Sequence, residues 1–275
     1  MPELAAPWGE SWLWLGGSLV LAAVYANLAW FFRQPRPGAI GESIARVAAW
    51  RFSPWLLQFL RLLYYIGVPV AAFLWGHDAI VGRLVGLQPL SLPASGSDRA
   101  AADIAGNWLD WAHDVGWAAA LGVGAWALLT LGWWSYRRAL HAGGVARSAE
   151  HIAAVEGGSG WALLREAAYH EIHWAFYRNA PILAVGTYWG LWLGLIVVAL
   201  EAVLNPAWRK GLSNIHTAPC QLARAALAIV SSTLFLLTQN LWLALIVHWG
   251  ASWGLAAVAR ISPRTSARTP DQLIA

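Results

Sequence analysis

The sequence predicts an all-α fold: a polytopic transmembrane helical bundle of about seven spans, N-terminus outside and C-terminus inside. Three observations carry this. Hydrophobic residues make up 59% of the 275 positions, and the mean hydropathy is +0.50, both high for a soluble domain. Several apolar runs approach the ~20 residues that take a helix across a hydrocarbon core. Those runs are continuous and do not alternate with polar residues, which argues against a membrane β-barrel.

In chain order, the first span covers about residues 11–32, and Arg33, Pro35, Arg36 and Pro37 end it with cations and helix breakers. No basic stretch precedes it, so it reads as a retained span and not as a cleaved signal. Residues 41–52 place Ile44, Val47 and Trp50 among Arg46 and Arg51, the pattern of a short amphipathic helix lying in the interface. The second span, 54–75, contains Arg61, expected to snorkel to the headgroups. Residues 76–106 read as a loop with one partial helix over 79–92, and His77-Asp78 as a loop pair. The third span is 108–136, with Asp110, His113 and Asp114 as a solvated cap in its first turns. After a polar connection comes a helix over 161–179, which Pro181 is expected to break or kink. Spans over 182–204, 221–238 and 241–259 complete the bundle, with His216 in the loop between the first two. Residues 1–260 thus form a single transmembrane domain, and 261–275 a flexible cytoplasmic tail.

Charge tests the layout. Of the 18 basic residues only Lys210 is lysine, and they are spread over the loops, which is a topology signal and not a nucleic-acid patch. If 161–179 crosses the membrane, one side collects Arg33, Arg36, Arg46, Arg51, Arg137, Arg138, Arg147, Arg209, Lys210, Arg260, Arg264 and Arg268, while the other keeps Arg83, Arg99 and Arg178. That bias satisfies the positive-inside rule. Cys220 is the single cysteine, so an internal disulfide and a thiolate metal cluster are both excluded. Among 21 tryptophans, Trp12, Trp55, Trp133 and Trp208 lie near run ends as in interfacial belts, and Trp189 and Trp192 fall inside a run as packing residues. No dinucleotide fingerprint, phosphate loop, nucleophile elbow or His-Glu-x-x-His motif is present.

The one polar helix holds the chemistry. Residues 165–181 carry Arg165, Glu166, His170, Glu171, His173 and Arg178 in a chain that is only 12% charged. Helical spacing puts Glu166, His170 and His173 on one face and Glu171 with Arg178 on another, where an ion pair is conceivable. Such groups cannot face lipid and must line a bundle interior or a wet cavity. Three chemistries fit them. A carboxylate can activate water for attack on an amide while a histidine polarises the substrate oxygen. Glu166, His170 and His173 can hold a divalent metal together with a later histidine, His248. Or the groups pair with one another and hold helices in register.

His248 lies mid-span in the last apolar run, in the stretch Thr238-Gln-Asn-Leu-Trp and onward to His248-Trp-Gly-Ala-Ser252. This stretch resembles the last motif of the CPBP family, the CAAX-protease and bacteriocin-processing intramembrane peptidases; Asn240, Leu241, Trp242 and His248 match it. Residues 170–178 are similar to the family's first motif, a Glu-Glu pair followed by arginine, and the likeness covers about 161–259. It implies Glu171 as the residue that activates water, His248 as oxyanion or proton-transfer group, and a structural Arg178. The departures are specific. His173-Trp174 stands where the glutamate pair belongs, the middle Phe-x-x-x-His motif is replaced by Glu201 nearby or His216 beyond, and Ser252 takes the place of the final asparagine.

The expectation is an intramembrane peptidase-like protein with altered catalytic motifs that hydrolyses a peptide bond in a membrane-associated peptide or protein substrate, in contact with membrane lipid of a bacterial inner membrane. Its site would comprise Glu171, His248, His173 and Arg178, supported by Glu166, His170, Glu201 and Ser252. The alternative is a non-enzymatic membrane scaffold that binds partner proteins; a third is a metal- or haem-binding membrane protein.

Overall fold

The computed structural model describes residues 8–34, 37–75, 98–143 and 159–261. Among these there are only helices: α1 (Trp8–Arg33), α2 (Ala39–Ala48), α3 (Ser53–Leu62), a π-helical stretch (Leu63–Gly67), α4 (Val68–Trp75), α5 (Asp98–Ala142), α6 (Gly160–Val185), α7 (Thr187–Leu204), α8 (Pro206–Leu212), α9 (Ala218–Thr238) and α10 (Leu241–Ile261). Six segments are long and apolar enough to cross a membrane, at 11–33, 53–72, 108–142, 187–204, 218–238 and 241–260. They make this an integral membrane protein of the helical class by length and composition. Outward apolar side chains fit that solvent: Leu13 is 76% exposed and Leu128 70%. His77, Asp78, the expected helix over 79–92 and the tail from 262 onward lie outside the described residues. The amphipathic segment forms as α2 and buries none of its residues.

At the centre stands α6, the polar helix. From Tyr169 to Ile182 every residue but Ile172 is buried. It packs against α7, α10, α1 and the π-helical stretch, while α5 packs against α9 and α10. The central helix is therefore shielded from lipid by its neighbours, as its charges require.

Pro181 does not end this helix. The hydrogen-bonded pattern runs through it to Val185, so residues 182–185, expected to begin the next span, belong to α6. The break falls instead at Gly186, whose φ of +82 is open to glycine and whose N–H caps the carbonyl of Ile182 at 2.9 Å. With proline's ring fully buried inside the bundle, tertiary packing overrides the local preference for a break.

Beyond Gly186 the chain reverses. A Cβ added to Gly190 would lie 2.3 Å from the Cα of Ile182, and one added to Gly194 2.7 Å from the Cα of Arg178. As one helix advances the other retreats, so α6 and α7 form an antiparallel hairpin with backbones in near contact. Glycine at both positions permits it.

The turn between α9 and α10 explains the Asn-Leu-Trp signal locally. Gln239 takes a left-handed conformation with φ of +49. Asn240 Oδ1 then accepts from the N–H groups of Trp242 at 3.1 Å and Leu243 at 3.3 Å, the geometry of an N-cap. Thr238 Oγ1 accepts from the Asn240 N–H at 3.2 Å. Replacement of Asn240 by alanine is expected to cost about 1 kcal/mol, measured by thermal unfolding in detergent, and replacement by serine much less.

Candidate functional site

Two carboxylate–imidazole pairs flank α6. On the side of α9 and α10, His248 Nδ1 donates to Glu171 Oε1 at 2.9 Å. Ser231 Oγ, from α9, donates to Glu171 Oε2 at 2.5 Å. Both carboxylate oxygens are engaged, and the Glu171 side chain is only 1% exposed. The His248 ring lies parallel to two neighbours that also stack on each other: Trp174 at 5.3 Å and 17°, and His170 at 5.9 Å and 6°. Such packing fixes the plane of the imidazole, and the acceptor-only carboxylate fixes its tautomer.

The order of this chain matters. The serine bonds to the carboxylate and not to the imidazole, so Ser231 lacks the adjacent histidine base that a nucleophilic serine uses. The arrangement serves instead to orient His248.

On the opposite side, His173 Nε2 lies 3.1 Å from Glu201 Oε2 and 3.1 Å from the Tyr64 hydroxyl. Tyr64 reaches on to the Tyr177 hydroxyl at 3.0 Å. The hairpin register supplies this pair: with Ile182 facing Gly190 and Arg178 facing Gly194, Glu201 arrives opposite His173 one or two turns further along. Here the carboxylate is more open, with the Glu201 side chain 21% exposed.

Two cavities meet these groups. A smaller one of ≈ 290 Å³ is edged by Glu166, His170, His248 and Ser252, with Cys220 and Arg224 also in its wall. A larger one of ≈ 540 Å³ reaches Tyr64, Tyr65, His170 and Glu201. His170 and Arg224 line both, and so form the partition between them.

The remaining candidates fall differently from expectation. Arg61 does not snorkel; it binds Glu166 through both guanidinium nitrogens, at 2.9 and 2.5 Å, and Arg165 adds a contact at 3.3 Å. A partner on the central helix costs less than stretching a cation to the headgroups from a half-buried position. Glu166 is thereby withdrawn from the set with His170 and His173. Among the described residues no three His, Cys, Asp or Glu side chains come together as metal ligands, so Glu166, His170, His173 and His248 do not converge on an ion.

The Glu171–Arg178 ion pair does not form. Two turns separate the residues, and Ser231 and His248 already occupy the carboxylate. Arg178 is 2% exposed, its guanidinium nitrogens have no hydrogen-bond partner, and it lies over the Phe235 ring at 4.1 Å. Cation–π attraction is its visible compensation. Arg178→Met, similar in length, is therefore expected to keep or raise the melting temperature, since no hydrogen bond is lost. A loss above about 2 kcal/mol would contradict this account. On α5, His113 Nδ1 stands 3.8 Å from Asp114, and His113 Nε2 accepts from Trp117 Nε1 at 3.2 Å, a local cluster remote in composition from both cavities.

Sequence reasoning missed Ser231, Tyr64, Trp174 and Phe235. The signal for two of them was visible: Ser231-Ser232 interrupts an apolar run, and Tyr64-Tyr65 falls mid-span. The aromatic partners carried no such mark, because rings are everywhere in this chain.

Fold and site together define a polytopic α-helical membrane protein with a carboxylate–imidazole pair buried at its centre. No family model, curated protein or solved structure matches the chain.

Proposed function

We propose that the protein is a membrane-embedded hydrolase of the intramembrane peptidase type, cutting a peptide bond in a membrane-associated substrate. The observation that carries this reading is the 2.9 Å pair of Glu171 and His248, with the histidine ring at the edge of a cavity. Glu171 accepts the hydrogen bond from Nδ1–H, which keeps the proton on Nδ1 and leaves Nε2 as the basic nitrogen. His248 removes a proton from water, and the resulting hydroxide attacks the amide carbon. The tetrahedral oxyanion collapses, the C–N bond breaks, and His248 returns the proton to the leaving amine. Ser252 and Arg224, in the same cavity wall, are the donors available to the oxyanion. The roles thus shift from those the family resemblance implies: Glu171 orients and His248 is the base, because the glutamate is closed off by two hydrogen bonds.

The topology that suits this reading has seven crossings, with α6 as the crossing that lacks an apolar signature. Its 26 residues reach about 39 Å at 1.5 Å per residue, more than the ~30 Å core. The arginine bias then puts the N-terminus outside and the C-terminus inside, as in a bacterial cytoplasmic membrane.

The test is hydrolysis of membrane peptides by the purified protein in detergent, with Glu171→Gln and His248→Ala as controls. Activity that survives both substitutions would sink the mechanism. A second reading, a non-enzymatic scaffold, draws on the Arg61–Glu166 and His173–Glu201 contacts, which join different helices and suffice to set register. It predicts no hydrolysis by the intact chain and a loss of partner binding when those contacts are removed.

A further inference from the structure

The larger cavity contains more than the hydrolytic reading uses. Its ≈ 540 Å³ falls within the range of small-molecule sites. One wall is a single face of α1, where Ala22, Tyr25, Ala26, Ala29, Trp30 and Arg33 follow helical spacing. The three alanines leave room along that face beside the Tyr25 and Trp30 rings, and the face ends in a cation at the end of the helix. Across from it lie Pro54 and Leu57 at the start of α3, Trp208 on α8, and Gln221 with Arg224 at the start of α9. All of these are helix ends, so the cavity opens at the end of the bundle, where headgroups meet water.

Its charge is uneven. Arg33, Arg61 and Arg224 line it against one carboxylate, Glu201. Arg61 is neutralised by Glu166, and Glu201 stands at the buried side beside Tyr64 and His173. Arg33 and Arg224 are exposed. Lys210 adds a further cation at the same rim, its Nζ 5.1 Å from the Trp30 ring centroid. A cationic rim above an apolar, aromatic-flanked groove is complementary to an anion carrying a hydrocarbon chain.

We infer that this cavity binds a phosphate-bearing amphiphile, an anionic phospholipid whose headgroup phosphate meets Arg33 and Arg224 and whose chain follows the alanine groove of α1. The inference concerns binding and uses neither Glu171 nor His248; Arg224 is shared with the hydrolytic reading, whereas Arg33 lines this cavity and not the smaller one, so the Arg33 variant tests lipid binding apart from hydrolysis.

The experiment is native mass spectrometry and calorimetry on the full chain in neutral detergent. The probes are short-chain phosphatidylglycerol, the matching phosphatidylcholine, and inorganic phosphate. The expected result is one saturable phosphatidylglycerol per chain, weakened about tenfold by Arg33→Gln and by Arg224→Gln, each of which removes a charge-assisted contact. Arg224→Lys is expected to retain most of the binding. Arg33 is exposed at a helix end, so its variant keeps the question answerable if a change at Arg224 disturbs folding. Equal binding of phosphatidylcholine, or indifference of phosphatidylglycerol to both glutamine variants, would overturn the site. Inorganic phosphate filling the site at comparable concentration would overturn the lipid assignment.

Discussion

Gly190→Ala is expected to destabilise the protein by about 3 kcal/mol, the upper end of the usual cost of overpacking. The new Cβ would stand 2.3 Å from the Cα and 2.4 Å from the nitrogen of Ile182. Those atoms are backbone, so no side chain can swing aside and the hairpin itself must open. The damage should spread, since α7 also carries Glu201 to His173. Gly132→Ala, with nothing within 4 Å of the added carbon, is the control; alanine in an open helical position gains about 0.5–1 kcal/mol. The measurement is thermal or denaturant unfolding in detergent. An unchanged midpoint for Gly190→Ala would contradict the close contact of α6 with α7.

Glu171→Gln and His248→Ala are each expected to lower hydrolysis by about 10²–10⁴-fold, the usual contribution of a positioned general base. The double variant should be no worse than the weaker single one, because the two groups act as a unit. Glu171→Gln keeps the shape of the side chain but turns an acceptor-only group into an amide. The amide can present its NH₂ to Nδ1 and so favour the wrong tautomer of His248. The loss should then fall on kcat more than on KM. If the double variant showed the product of the two single losses, the residues would act separately and the pair would lose its meaning.

The fold class was legible from apolar run length alone, since burial in lipid demands little beyond hydropathy. The chemistry of α6 was legible as an excess of charge, and His248 as an isolated polar group in an apolar run. The pairings were not. Arg61 and Glu166 are 105 positions apart, and Glu171 and His248 are 77; helical periodicity says which side a residue faces but not which helix stands there. Pro181 misled for a related reason. Proline's local cost is fixed, yet whether a helix ends depends on what packs around it, and here Gly186 offers the sharper turn a few residues later. Asn240 is the converse case: a motif match that the structure accounts for as a helix cap.

The burial of the middle of α6, from Tyr169 to Ile182, bears on how the chain enters its membrane. A segment with Glu171, His173 and Arg178 in its middle has no lipid-facing stripe, and each ionised group at mid-bilayer adds about 2.5–3.5 kcal/mol to insertion. In the seven-crossing topology it cannot partition alone. The turn at Gly186 joins it to an apolar partner without delay, so α6 and α7 would integrate as one hairpin, the second half carrying the first. The residues that close Glu171, Ser231 and His248, are synthesised later still. In that topology the nascent protein holds an open polar helix until its last two long helices arrive, and truncation before α9 should leave a chain that membrane quality control removes.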